Sequence, residues 1–124
     1  MRQPCIHQFK QKCCQNIVQN KQGIFPQQEE ELVQMPGIGK YTAAALLSFA
    51  YNKSVPVVDV NIERIFNRVF YGKKINYSAL LPEKSSRDWH NALMDIGALF
   101  CTATNPKCDD CPLGKFCLSA NNTL

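Results

Sequence analysis

The chain has 124 residues and carries 14 Lys plus Arg against 10 Asp plus Glu, a formal charge of +4. That length suits one domain, or part of a larger protein, with a modest core, and the mild basic excess permits a nucleic-acid partner without specifying one. No run approaches the roughly 20 apolar residues that cross a bilayer, and residues 1–10 lack a signal peptide's apolar stretch, so a cytoplasmic rather than a membrane or secreted protein is expected.

In chain order the pattern predicts helices joined by short turns, with no internal repeat. A polar helix is expected over residues 11–19. Residues 27–34 read as a short helix with Glu29, Glu30 and Glu31 early, where the helix dipole favours negative charge. Pro36, Gly37 and Gly39 force a tight turn, and an alanine- and leucine-rich helix follows over 41–51. Val55-Pro56-Val57-Val58 has strand composition, but Pro56 would interrupt a ladder, so an extended linker is expected. Asp59 is placed to N-cap a helix whose Ile62, Ile65, Phe66, Val69 and Phe70 form one apolar stripe, and Gly72 ends that helix. Residues 73–86 are polar and broken by proline, hence irregular or one short helix. A last long helix over 87–101 should bury Trp89, Leu93, Ile96 and Phe100.

Seven cysteines are many for this length, and an odd number crowded toward one end does not suit a disulfide framework. Cys101, Cys108, Cys111 and Cys117 have six, two and five residues between them. Four thiolates can hold tetrahedral zinc or a [4Fe–4S] cluster. Zinc favours two tight pairs, and this loop has only Cys108 and Cys111 so spaced; the wider cage suits the cluster. Cys5, Cys13 and Cys14 fit no ligand set and read as ordinary thiols. His7 and His90 have no partner pattern and receive no role.

The loop C-x6-C-x2-C-x5-C, the turn Met35-Pro36-Gly37-Ile38-Gly39-Lys40-Tyr41-Thr42 and the segment Val57-Val58-Asp59-Val60-Asn61-Ile62-Glu63-Arg64 together resemble the iron–sulfur DNA glycosylases of the helix-hairpin-helix superfamily. The likeness runs from about Lys12 to Ala120 and is nearest the MutY-type adenine glycosylases. It implies an all-α fold: a partial six-helix barrel over residues 1–72, with the hairpin at 29–51, and a C-terminal helical region over 73–124 with the cluster loop at 101–117.

The resemblance also implies roles. Gly37 and Gly39 would supply unusual torsions and bring amides to the surface, where the start of the next helix faces a DNA phosphate. Gly37, Gly39, Lys40, Tyr41 and Thr42 are then candidate DNA contacts, as are Lys107 and Lys115 in the cluster loop, and the hairpin carbonyls can take a monovalent cation. Tyr41 stands where bifunctional relatives carry a nucleophilic lysine, so water is the expected nucleophile; Lys40 faces elsewhere in the family pattern. Asp59 falls on the essential aspartate, beside the positive charge that builds on the sugar. Val60 departs from the usual adenine-glycosylase pattern, which has glycine there. Glu63 and Arg64 taken alone read as a solvated face.

The expected function is base excision repair: removal of adenine paired with 8-oxoguanine or guanine, in double-stranded DNA, at the nucleoid. A thymine or uracil mismatch glycosylase and a non-catalytic DNA-binding module are the alternatives. The family's protonating glutamate has no counterpart here, because Glu29, Glu30 and Glu31 lie just before the hairpin. The chain alone is therefore expected to have little or no glycosylase activity, and to need a missing N-terminal segment or a partner chain against its exposed apolar surface.

Overall fold

A computed structural model describes residues 6–122, with side chains from residue 8 onward, so Cys5 and the His7 side chain lie outside the described residues. Every regular element among them is helical: α1 (Ile6–Asn20), α2 (Glu29–Leu32), α3 (Lys40–Ala45), α4 (Val60–Val69), α5 (Ser86–Leu99) and α6 (Leu118–Asn121). No helix among them is long and apolar enough to cross a membrane.

α1 begins earlier than residue 11 and ends where Gln22 and Gly23 turn left-handed, with the Gly23 N–H donating to Ile17 O at 3.0 Å. α2 is only one turn long. Met35-Pro36-Gly37-Ile38 then closes a type II turn: Ile38 N donates to Met35 O at 3.2 Å, proline presets the second position, and Gly37 takes φ +78° at the third. α3 does not continue as a plain helix to residue 51. It widens into a π-helical turn over Leu46–Ala50, with Tyr51 N donating to Leu46 O.

The apolar side chains gather in two clusters. Ile17, Leu32, Met35, Ile38, Ala43 and Leu47 bury themselves around the hairpin. Ile62, Ile65, Phe66 and Leu93 form the second, with Trp89 and Ile96 half-buried against it, so the stripe read from the sequence is the one that packs. Phe100 is half-buried at the end of α5, which stops at Leu99, short of Cys101. The linker 55–58 is extended without strand pairing, and Tyr77–Leu80 is one short 3-10 turn in the irregular stretch.

α4 and α5 approach closely at Gly97. A Cβ there would lie 3.1 Å from Asn61 Cβ and 3.4 Å from Ile65 Cδ1. Gly97→Ala should be near neutral, because the tight contact offsets the roughly 1 kcal/mol that alanine gains over glycine in a helix. Gly97→Val should cost about 2 kcal/mol by overpacking. Urea midpoints read both, and a valine variant as stable as the parent would show that the helices can part at no cost.

Candidate nucleic-acid interface and metal centre

The turn places its two glycines differently. Gly37 needs its left-handed torsion, and a Cβ on it would lie 2.8 Å from Phe9 Cβ. Gly39 does not: its φ is −90° and its ψ 178°, ordinary extended backbone, and a Cβ there would meet nothing within 4 Å. The expectation of an unusual torsion at Gly39 is therefore corrected. What a missing side chain leaves at Gly39 is open space in front of α3, whose first amides have no side-chain cap.

Lys40 and Tyr41 line one hollow of about 500 Å³ with Val55, Pro56, Val58 and Tyr77. Lys40 therefore borders the same hollow as Tyr41. Glu29, set aside on sequence position, lines the same hollow, whereas Glu31 pairs with Lys21 at 2.8 Å on the surface. Gly37 and Thr42 line a different hollow, with Phe9, Cys13 and Phe25. Cys13 is a free thiol held half-buried there, pushed above the ordinary thiol range by burial first and by Cys14 second.

Asp59 caps α4 as expected. Its φ of −96° and ψ of 177° are extended, and Oδ1 accepts from Asn61 N at 3.0 Å and Ile62 N at 2.8 Å. Oδ2 accepts only from the Asn61 side-chain amide, at 3.3 Å. The cap thus uses one oxygen and leaves the other lightly held. Asp59 is half-buried and follows Val58, which lines the Tyr41 hollow; Asp59 itself is not among that hollow's lining residues.

Arg64 and Arg68, one turn apart on α4, serve the cluster loop. Arg64 Nε donates to Cys101 O at 2.9 Å and Nη2 to Gly97 O at 3.1 Å. Arg68 Nη1 donates to Thr102 O at 2.7 Å and to Cys101 Sγ at 3.3 Å, and Nη2 donates to Ala103 O at 3.1 Å. These guanidinium groups satisfy the Gly97 carbonyl in the last turn of α5 and the Cys101, Thr102 and Ala103 carbonyls of the loop after it. Glu63 is exposed, as read, but Arg64 is half-buried and committed, which corrects the reading of a solvated pair.

Cys101, Cys108, Cys111 and Cys117 line one hollow of about 570 Å³, walled by Ile65, Ile96 and Leu113. All four are free thiols, and among the described residues no three His, Cys, Asp or Glu side chains close on a single ion. The Cys108 thiol is pushed above its ordinary range, by burial first and then by Cys117, Cys101 and Cys111; Arg68 opposes this. Four cysteine side chains gathered on one hollow are the donor set that holds a soft, multiply charged metal centre as thiolates. A cluster bearing several iron ions fits that donor set. Lys107 and Lys115 are exposed on the same loop, and Lys115 borders a shallow hollow beside Cys108 and Cys111.

Sequence reasoning missed His90. It is fully buried, and its ring is held on both sides. Nδ1 lies 2.7 Å from Ser86 O, which can only accept, and Nε2 lies 2.9 Å from Val57 N, which can only donate. The ring is therefore neutral with its proton on Nδ1. Burial pushes the imidazole below its ordinary 6.5, and the Ser86 carbonyl opposes this. The unfolded ring takes a proton more readily than the folded one. This contribution to stability is complete above pH 6.5 and is lost as pH falls below it toward the lower folded value. Urea midpoints should thus decline on acidification in the wild type and decline less in His90→Gln; equal slopes would place the sensitivity elsewhere.

Comparison with known proteins agrees with this geometry. Residues 20–49 match the helix-hairpin-helix motif, and residues 101–117 match the iron–sulfur binding domain of endonuclease III, which assigns the chain a [4Fe–4S] cluster. An adenine DNA glycosylase of Buchnera aphidicola subsp. Baizongia pistaciae is 38% identical over 91% of this chain, which spans 35% of that protein. A thymine/uracil-DNA glycosylase of Methanothermobacter thermautotrophicus is 33% identical over 82% of the chain, which spans 51% of it. The structure of a thermostable thymine-DNA glycosylase superposes with a TM-score of 0.81 at 29% identity, over 92% of this chain and 58% of that one. Likeness of this extent, in sequence and in fold, places the chain in the helix-hairpin-helix superfamily of DNA glycosylases to which endonuclease III belongs.

Proposed function

We propose that the chain is the hairpin-to-cluster part of a monofunctional glycosylase that removes adenine paired with 8-oxoguanine or guanine. Asp59 carries the reading. Its Oδ1 fixes it to the start of α4, and its Oδ2 has a single side-chain partner. A carboxylate so anchored can face the cationic sugar that forms as an N-glycosidic bond breaks. The base must leave the stack to reach such a site. The hairpin around Gly37, Gly39, Lys40, Tyr41 and Thr42 would hold the duplex by its phosphates, with the open space before Gly39 admitting the backbone.

In the same reading Cys101, Cys108, Cys111 and Cys117 hold the cluster, which when bound shapes the loop and takes no part in bond cleavage. Lys107 and Lys115 then lie exposed toward phosphate. Tyr41 has no amine with which to form a Schiff base, so water completes the reaction. In this reading residues 1–72 belong to the barrel side and 73–124 to the cluster side.

Single-turnover base release from A·8-oxoguanine, A·G, T·G and U·G duplexes tests the proposal. Adenine release from the first two, slow in the chain alone and faster with the N-terminal part of a relative added, is the expected result. Thymine or uracil release would favour the second reading, which rests on the 33% identity to the Methanothermobacter enzyme and on Val60. Duplex binding with no base released in either form, and unchanged in Asp59→Asn, would leave a DNA-gripping module.

A further inference from the structure

We propose that His90 is a positioning residue, locking the extended segment that ends in Asp59 to both the hairpin helix and α5. The inference rests on the role proposed above for Asp59.

Three elements meet at this ring. Val57 N, two residues before Asp59, donates to Nε2 at 2.9 Å. Ser48 Oγ, in the π-helical turn that follows α3, lies 3.0 Å from Nδ1 and 3.0 Å from Ser86 Oγ. Ser86 O, in the first turn of α5, accepts from Nδ1 at 2.7 Å. Phe49 and Trp89 enclose the ring edge-on, at 5.8 Å and 4.9 Å between centroids. Ser48, Ser86 and His90 are all fully buried, and Val57 is 1% exposed.

The segment from Val55 to Val58 has no ladder to hold it, so its register depends on such contacts. The imidazole gives the Val57 amide a buried acceptor of fixed direction, because the Ser86 carbonyl fixes the tautomer. The π-helical turn carries Ser48 to the same ring. Val55 packs against the hairpin cluster and Val58 against the second, and between them the imidazole supplies the directional polar tie that fixes Val57 relative to both. A residue serving only to fill the core would need volume here, but no acceptor aimed at Val57 N.

The test uses the iron-loaded 124-residue chain and two duplexes that differ at one nucleotide: a cationic pyrrolidine abasic analogue and a neutral tetrahydrofuran one. Anisotropy titrations give the preference for the cation. Wild type should show a preference, and Asp59→Asn should erase it. His90→Leu, at equal iron content, should cut it roughly tenfold, the size of effect one lost buried hydrogen bond produces. His90→Gln, whose amide oxygen reaches the Nε2 position, should restore most of it.

If His90→Leu keeps the wild-type preference while Asp59→Asn loses it, the inference is overturned and the role of Asp59 stands. If wild type shows no preference, or Asp59→Asn retains it, the role of Asp59 fails and the inference fails with it. If the leucine variant does not fold, glutamine against asparagine decides. Asparagine is too short to reach Val57 N, and equal preference in the two overturns the inference.

Discussion

Gly114→Ala is expected to leave the chain with at least a roughly tenfold lower iron content, although all four cysteines remain, because metal binding and the folding of a metal loop are one equilibrium. A Cβ on Gly114 would lie 2.6 Å from the carbonyl oxygen of Cys108, which is backbone and cannot swing aside. The surroundings are interlocked. Cys111 N donates to Cys108 O at 3.2 Å, Gly114 N to Cys111 O at 2.9 Å, and Cys117 N to Gly114 O at 3.2 Å. Room for one methyl group therefore requires moving a ligand. The displacement should spread to α6, whose Ser119 Oγ donates to Arg68 O at 2.6 Å and so ties the chain's end to α4. Iron per chain and visible absorbance read the result. Gly39→Ala is the control: with nothing within 4 Å of the added atom, it should keep its iron. A fully loaded Gly114→Ala protein would show that the loop has more slack than these distances allow.

What the sequence disclosed was local chemistry. Cys101, Cys108, Cys111 and Cys117 could be read because ligand spacing is a property of a short segment, and Pro36-Gly37 because a type II turn demands that pair. Asp59 could be read because a cap and its two amides lie within three residues. The rest depended on distance along the chain. His90 and Ser48 are 42 residues apart, and nothing near either marks the pair. Arg64 looks solvated beside Glu63, because the Cys101 carbonyl it serves lies 37 residues away. Gly37 and Gly39 look alike in sequence, yet Gly37 takes a left-handed torsion and Gly39 ordinary extended backbone beside open space. The π-helical turn was invisible for a related reason: Leu-Leu-Ser-Phe-Ala is ordinary helix by composition, and the register that carries Ser48 to His90 belongs to the packed state.

Asp59→Asn should separate the cap that Asp59 provides to α4 from the role proposed for its charge. Asparagine caps a helix about as well as aspartate, so the urea midpoint should stay within roughly 0.5 kcal/mol of wild type. Asn61 N and Ile62 N can still be met by an oxygen. The negative charge proposed to face the sugar is lost. For opposite unit charges about 4 Å apart near a protein surface, the Coulomb energy is several kcal/mol. Half-burial and water reduce it, and roughly a hundredfold loss of affinity for the cationic abasic analogue is expected, with the neutral analogue unchanged. Base release, where it is measured, should fall by about a thousandfold, since the charge matters most when the sugar is most cationic. Asp59→Ala should lose both functions, adding about 1 kcal/mol of destabilisation. Asn61→Ala should be milder, because it frees Oδ2 without removing the charge, and its cap through Oδ1 persists. The decisive comparison is asparagine against alanine. If both lose stability equally and neither loses its preference for the cation, Asp59 is a helix cap and nothing more.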